Sequence, residues 1–252
     1  MPDALRLAIG TLTRLPVPAP RTLTRSTTTW AMSLAPLIGA ALALVCGLPL
    51  LIEARQFTTL VLAAISIALL AFATRALHLD GLADTADALG SAKPAQQALE
   101  IARKSDIGPF GVIALVLNLL LQTFALAACL YAGDGLPALV LAAVLGRIAL
   151  TWACTQLWPA ARADGLGASV AGSVPLAVPI LWAVVIAIGG YVLLGAAGVL
   201  ATLLALLAGQ LVLMITKRRL GGVTGDVLGA VIECATSTAL ITLALLLQYS
   251  SF

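Results

Sequence analysis

Charge is what this chain has least of. Only 10% of its 252 residues are Asp, Glu, Lys or Arg, against 61% hydrophobic, too little charge to cover a soluble domain of this size. The protein must be solvated by lipid. Its net charge of +3 is spread along the chain and forms no dense basic stripe, which excludes nucleic acid as a partner; acidic lipid headgroups or phosphorylated substrates suit it better. There is one histidine, His78, so neither a His-based metal cage nor a His-dependent triad can be assembled. Cys46, Cys129, Cys154 and Cys234 each fall in a different apolar run, without the paired spacing of a zinc or redox motif, and read as packing residues. The first thirty residues scatter Arg6, Arg14, Arg21 and Arg25 among prolines and hold no apolar block before a small-residue cleavage site, so a cleaved signal peptide is not expected. Residues 1–32 read as a lead in which Leu5, Ala8, Ile9 and Leu12 share one helical stripe, suited to a short interfacial helix.

What the chain has is long apolar runs. A crossing helix needs about 20 apolar residues, and runs near 33–52, 57–79, 107–132, 136–160, 174–195, 199–216 and 227–248 satisfy this. The expectation is an all-α polytopic membrane protein of about seven transmembrane helices, a single integral domain over 1–252. The stretch 174–216 is nearly unbroken but as one helix would be roughly twice the bilayer thickness, so Gly195-Ala196-Ala197-Gly198 is the expected reversal. With a cytoplasmic N-terminus, one face collects Arg6, Arg14, Arg21, Arg25, Lys93, Arg103, Lys104, Arg162, Lys217, Arg218 and Arg219. The other face collects only Arg55, while Arg75 and Arg147 fall within predicted helices. Cytoplasmic loops are rich in Lys and Arg, so the asymmetry supports both the orientation and an odd number of crossings, which leaves the C-terminus on the far side. Gly- and Ala-rich helix faces would permit close association between copies of the chain.

Acidic residues gather at the same face. Asp80, Asp84 and Asp87 stand at i, i+4 and i+7, one stripe of a helix, where like charges repel unless a cation sits among them; oxygen-only ligands select a hard ion. The competing reading is a solvated helix end. His78, two residues before Asp80, is expected to face away from that stripe. A second cluster, Gly221-Gly222-Val223-Thr224-Gly225-Asp226-Val227-Leu228-Gly229-Ala230, places close-approaching backbone amides before a helix, with Asp226 as the expected cap. Glu233 follows about 10 Å deeper. An ionisable group at that depth is a functional candidate, with Arg147 as its expected partner, either in a structural ion pair or as a substrate contact. Arg103-Lys104-Ser105-Asp106 precedes a Gly/Pro turn and offers a place for phosphate, although cations there also satisfy topology.

Thr13-Arg14-Leu15-Pro16, HLDGLADTADAL at 78–89, the Ser105-to-Gly111 turn and GGVTGDVLGA at 221–230 occur in this order across almost the whole chain. Together they resemble the cobalamin synthase family, the adenosylcobinamide-GDP ribazoletransferases. The resemblance implies a magnesium-dependent transferase of the bacterial inner membrane with its active site on the cytoplasmic face. In that reaction α-ribazole, or its 5′-phosphate, displaces GMP from adenosylcobinamide-GDP. It further implies that Asp80 and Asp84 bind Mg2+, that Asp226 closes the site as ligand or catalytic group, and that Asp87 is third ligand or general base. Lys104, Ser105, Arg147, Thr224 and Glu233 are the expected substrate contacts. The family pattern has an acidic residue before the serine of the turn; here Lys104 precedes Ser105 and Asp106 follows it. Two other readings compete: a prenyltransferase with an Asp-rich Mg-pyrophosphate site, and a transporter built on glycine-broken helices.

Overall fold

Lipid leaves a backbone no partner but itself, so apolar runs of this length become helices. The computed structural model describes residues 1–52, 56–104 and 106–247; Arg55, Ser105 and Phe252 lie outside the described residues. In chain order the helices are α1 (Asp3–Leu12), α2 (Arg25–Ser33), α3 (Ala35–Cys46), α4 (Gln56–Ala73), α5 (Leu77–Gly90), α6 (Ala95–Ile101), α7 (Pro109–Tyr131), α8 (Gly135–Ala153), α9 (Gly165–Val170), α10 (Ala177–Leu220) and α11 (Gly225–Leu247), with a 3₁₀ turn at Leu48–Leu51. Among the described residues there is no strand, only isolated bridges joining Thr155 to Val174 and Ala160 to Val223. The chain is an all-α polytopic membrane protein. Helices α7, α8, α10 and α11 are each long and apolar enough to cross a bilayer, and the bent pairs α2–α3 and α4–α5 reach that length when taken together.

The 44-residue α10 reverses where the glycines predicted it. Gly195 takes φ 59° and ψ −146°, and the backbones of Gly190 and Gly198 then meet so closely that a Cβ on Gly198 would overlap the Gly190 carbonyl. Two limbs, 177–194 and 196–220, therefore run back to back. Side chains of this hairpin mostly face lipid, with 17% of its apolar window buried. The corresponding share of α8 is 78%, which makes α8 the centre of the bundle. Around it the packing uses small residues, because lipid tails give apolar side chains no reason of their own to associate. Ala142, Ala143, Ala149 and Ala153 of α8 and Ala235 and Ala239 of α11 are almost fully buried.

The structure departs from the sequence expectation at two spans. The run 57–79 was expected to be one crossing; the helix stops at Ala73, and the chain turns 87° into α5. Arg75 and Ala76 make the turn in left-handed conformations (φ 56° and 55°), which no propensity rule reads from non-glycine residues. Arg75 is thus not within a helix: it is exposed in the turn and donates from Nη2 to the carbonyl of Gly10 at 2.8 Å. The run 136–160 likewise ends at Ala153, ahead of Pro159, whose ring cannot sit in a helix interior. The residues after it fold back instead, Val223 N–H donating to the Pro159 carbonyl and Ala161 N–H to that of Val223. These two departures build one end of the bundle: α5 lies across it, and the 154–164 segment sits beside the start of α11.

Candidate functional site

Two glycines decide how the acidic motifs meet. A Cβ at Gly81 would lie 2.6 Å from the Asp226 carbonyl oxygen, and one at Gly229 would lie 2.9 Å from the His78 carbonyl. Only glycine at both positions lets α5 and α11 come into backbone contact. The contact sets Asp80 and Asp226 on the walls of one cavity of about 170 Å³, whose lining also includes His78, Thr11 and Leu166. His78 was expected to face away from the acids; the 87° turn and the approach of α11 bring it to the same cavity.

Asp84 stands near enough to the other carboxylates to feel their charge. Burial, and then the charges of Asp80, Asp226 and Asp87, push the Asp84 carboxyl up to about 7, against the opposing pull of Arg162. Arg162 itself donates from Nη2 to Asp226 Oδ2 at 2.9 Å, and its Nε is buried without a partner. Sequence reasoning assigned Arg162 only to topology. Its partner lies 64 residues away, and no local pattern announces such a pair.

Other expected residues make contacts of their own. Asp87 is buried and accepts the N–H groups of Gly108 (2.7 Å, Oδ2) and Gly111 (3.0 Å, Oδ1), the unsatisfied donors at the start of α7. Both oxygens thus cap the start of α7, and Asp87 also lies near enough to Asp84 for its charge to raise that carboxyl. Thr224 accepts from Val227 N–H at 3.2 Å and donates to Asp226 Oδ2 at 3.1 Å. It therefore caps α11 in place of Asp226, with its buried hydroxyl bonded to both. Lys104 is exposed in the turn after α6 and does not line the Asp80–Asp226 cavity; Ser105 lies outside the described residues.

Arg147 and Glu233 stand deeper, on α8 and α11, and are not directly paired: the ion pairs among the described residues are Arg6–Asp3, Arg103–Asp164 and Arg162–Asp226. Glu233 Oε2 instead accepts from the side-chain amides of Asn118 (2.9 Å) and Gln122 (2.8 Å), with Ser237 completing the network. Arg147 and Glu233 share with His78 the lining of a cavity of about 20 Å³. That is room for about one water. Asn118 and Gln122, one helical turn apart in an otherwise apolar run, were the overlooked signal.

Asp80, Asp84 and Asp226 form an all-oxygen donor set whose mutual repulsion, visible at Asp84, a hard divalent cation would relieve. Among the described residues no three acidic, imidazole or thiol groups converge as a ready-made cage. Magnesium in particular does not need one, since it keeps waters and takes one or two carboxylates plus substrate phosphates. The residues fit such an ion.

The fold and the cavity define an all-α membrane protein with a carboxylate-lined site at one end of its bundle. The profile of the cobalamin-5-phosphate synthases matches residues 4–244, and the chain belongs to that family. Relatives named adenosylcobinamide-GDP ribazoletransferase include one from a Nocardioides species, 41% identical over 97% of this chain and 99% of its own length. Others are from Frankia casuarinae, 38% identical over 95% of this chain and 94% of its own, and Stutzerimonas stutzeri, 40% identical over 96% and 97%. No solved structure matches the chain.

Proposed function

We propose that the chain transfers the adenosylcobinamide phosphoryl group of adenosylcobinamide-GDP to α-ribazole or its 5′-phosphate, releasing GMP, at the cytoplasmic face of a bacterial inner membrane. The observation that carries this reading is the convergence of Asp80, Asp84 and Asp226 from two separate motifs, in a chain whose relatives of that name match it nearly end to end. A ribose hydroxyl of the acceptor, one that stays free when the 5′ position is phosphorylated, attacks the phosphorus next to the cobinamide, a new P–O bond forms, and the bond to the departing GMP breaks. Bound Mg2+ supplies charge neutralisation for the pyrophosphate. Asp80, Asp84 and Asp226 are the residues that would hold it. Arg162, anchored on Asp226, has an unused Nε donor for a phosphate oxygen. A cluster carboxylate takes the hydroxyl proton, while Asp87 fixes the start of α7 against α5. The cytoplasmic orientation and the seven crossings rest on the basic asymmetry, to which the exposed Arg75 now adds at the acidic end. In purified membranes, GMP should be released from adenosylcobinamide-GDP only when both α-ribazole and magnesium are supplied. Release without acceptor, or none at all, would overturn the reading.

A further inference from the structure

Beside the acidic cavity, and separate from it, lies a second pocket of about 410 Å³, within the size range of small-molecule sites. It is lined by Gln96, Leu99 and Glu100 of α6, by Arg103 in the turn after it, by Arg162, and by Leu220 at the end of α10. These residues fall at i, i+3, i+4 and i+7, so one face of α6 and the turn that follows it face the pocket. The sequence gives no reason for polar residues of such different character to share that face.

Each has a distinct condition. Arg103 is paired with Asp164, whose two oxygens accept from its Nη2 at 2.6 and 2.7 Å, so its charge is compensated while its guanidinium stays exposed. A guanidinium in that state is a stacking surface more than an anion site. Arg162 leads from this pocket to the acidic cavity, since it lines one and bonds Asp226 in the other. Glu100 is exposed, and its carboxylate has neither ion-pair nor hydrogen-bond partner among the described residues. It presents two free acceptor oxygens, with the Gln96 amide one turn away.

The geometry points to a guanine-recognition pocket, in which the carboxylate of Glu100 accepts from N1–H and the 2-amino group of guanine while the base stacks on Arg103. The inference rests on the GMP-releasing reaction proposed above. Guanine carries two donors side by side on one edge, which match the two oxygens of a carboxylate. Hypoxanthine lacks the 2-amino donor, and adenine presents an acceptor at N1. The base would sit in the α6 pocket with the phosphates passing Arg162 toward Asp226, so the leaving group is held at both ends.

The test is equilibrium binding of GMP and IMP to the full chain in lipid nanodiscs, alongside GMP release from adenosylcobinamide-GDP. Wild type should bind GMP roughly tenfold or more tightly than IMP, the loss expected when a site lacks one hydrogen-bond donor from its ligand. Glu100→Ala should bring the two affinities within about twofold by weakening GMP, and Glu100→Gln, which keeps the side-chain size, should do the same. Equal binding of GMP and IMP by wild type, or full discrimination retained by both variants, overturns the guanine pocket. If wild type releases GMP while its base preference ignores Glu100, the pocket fails and the transferase reading stands. Glu100-dependent preference for GMP in a chain that releases none would instead sink the transferase reading and leave the pocket.

Discussion

Carboxylates occupy two regions of this molecule, and they differ in what surrounds them. At the end of the bundle Asp80, Asp84 and Asp226 repel one another, with Arg162 as the cation set against Asp226. In the interior Glu233 is supplied by the amides of Asn118 and Gln122 and faces a cavity with room for little more than a water. The first arrangement is left short of positive charge, which is what a site for a cation and a pyrophosphate requires. The second has two amide donors already aimed at one of its oxygens.

Substitutions should separate the regions. Asp80→Ala or Asp84→Ala is expected to lower GMP release by roughly a thousandfold without loss of thermal stability. Glu233→Gln, whose amide oxygen still accepts from Asn118 and Gln122, should keep release within about threefold. A Glu233→Gln variant as inactive as Asp84→Ala would erase the distinction. Gly81→Ala comes next: its Cβ would stand 2.6 Å from the Asp226 carbonyl. Because forcing α5 from α11 misplaces the donors, about a hundredfold loss of release is expected in a folded protein.

Proton competition gives a smaller effect of definite sign. With the Asp84 carboxyl pushed up to about 7, protons and the cation compete for it below that pH, whereas above it the group is already ionised. The magnesium concentration giving half-maximal release should rise roughly tenfold from pH 8 to pH 6 and stay flat above pH 8. A requirement that falls on acidification would contradict the cluster. Smallest on activity is Asp87→Asn: a cap that loses one of its two acceptors should cost about 1–2 kcal/mol in stability, read by thermal unfolding. The magnesium requirement should be unchanged; if it rises sharply, Asp87 is a ligand after all.

Much of this was legible beforehand. Helix class followed from apolar runs, the α10 reversal from Gly195 and its neighbours, and the acidic motifs from their spacing. Local patterns sufficed because each of these features is decided within a few residues. The remainder depends on contacts between distant segments. Asp87 reads as another member of the 80–84–87 stripe until Gly108 and Gly111, more than twenty residues on, supply their N–H groups. Arg162 reads as a topological cation until α11 presents Asp226. The turn at Arg75 and Ala76 is invisible because two ordinary residues take left-handed conformations, tied by hydrogen bonds to the carbonyls of Gly10 and Ala71. The glycines of HLDGLAD and TGDVLGA were visible, but their purpose, backbone contact between α5 and α11, was not.

The central claim is that one ion is shared between α5 and α11. Asp226→Asn keeps an acceptor for Arg162 and removes one charge from the α11 side only, so the magnesium dependence of GMP release in that variant tests the claim most directly. Sharing predicts a half-maximal magnesium concentration at least about tenfold above wild type, with release partly recovered at saturating magnesium. An unchanged magnesium requirement, whatever the maximal rate, would show that Asp226 stands outside the site and that the two motifs do not act together.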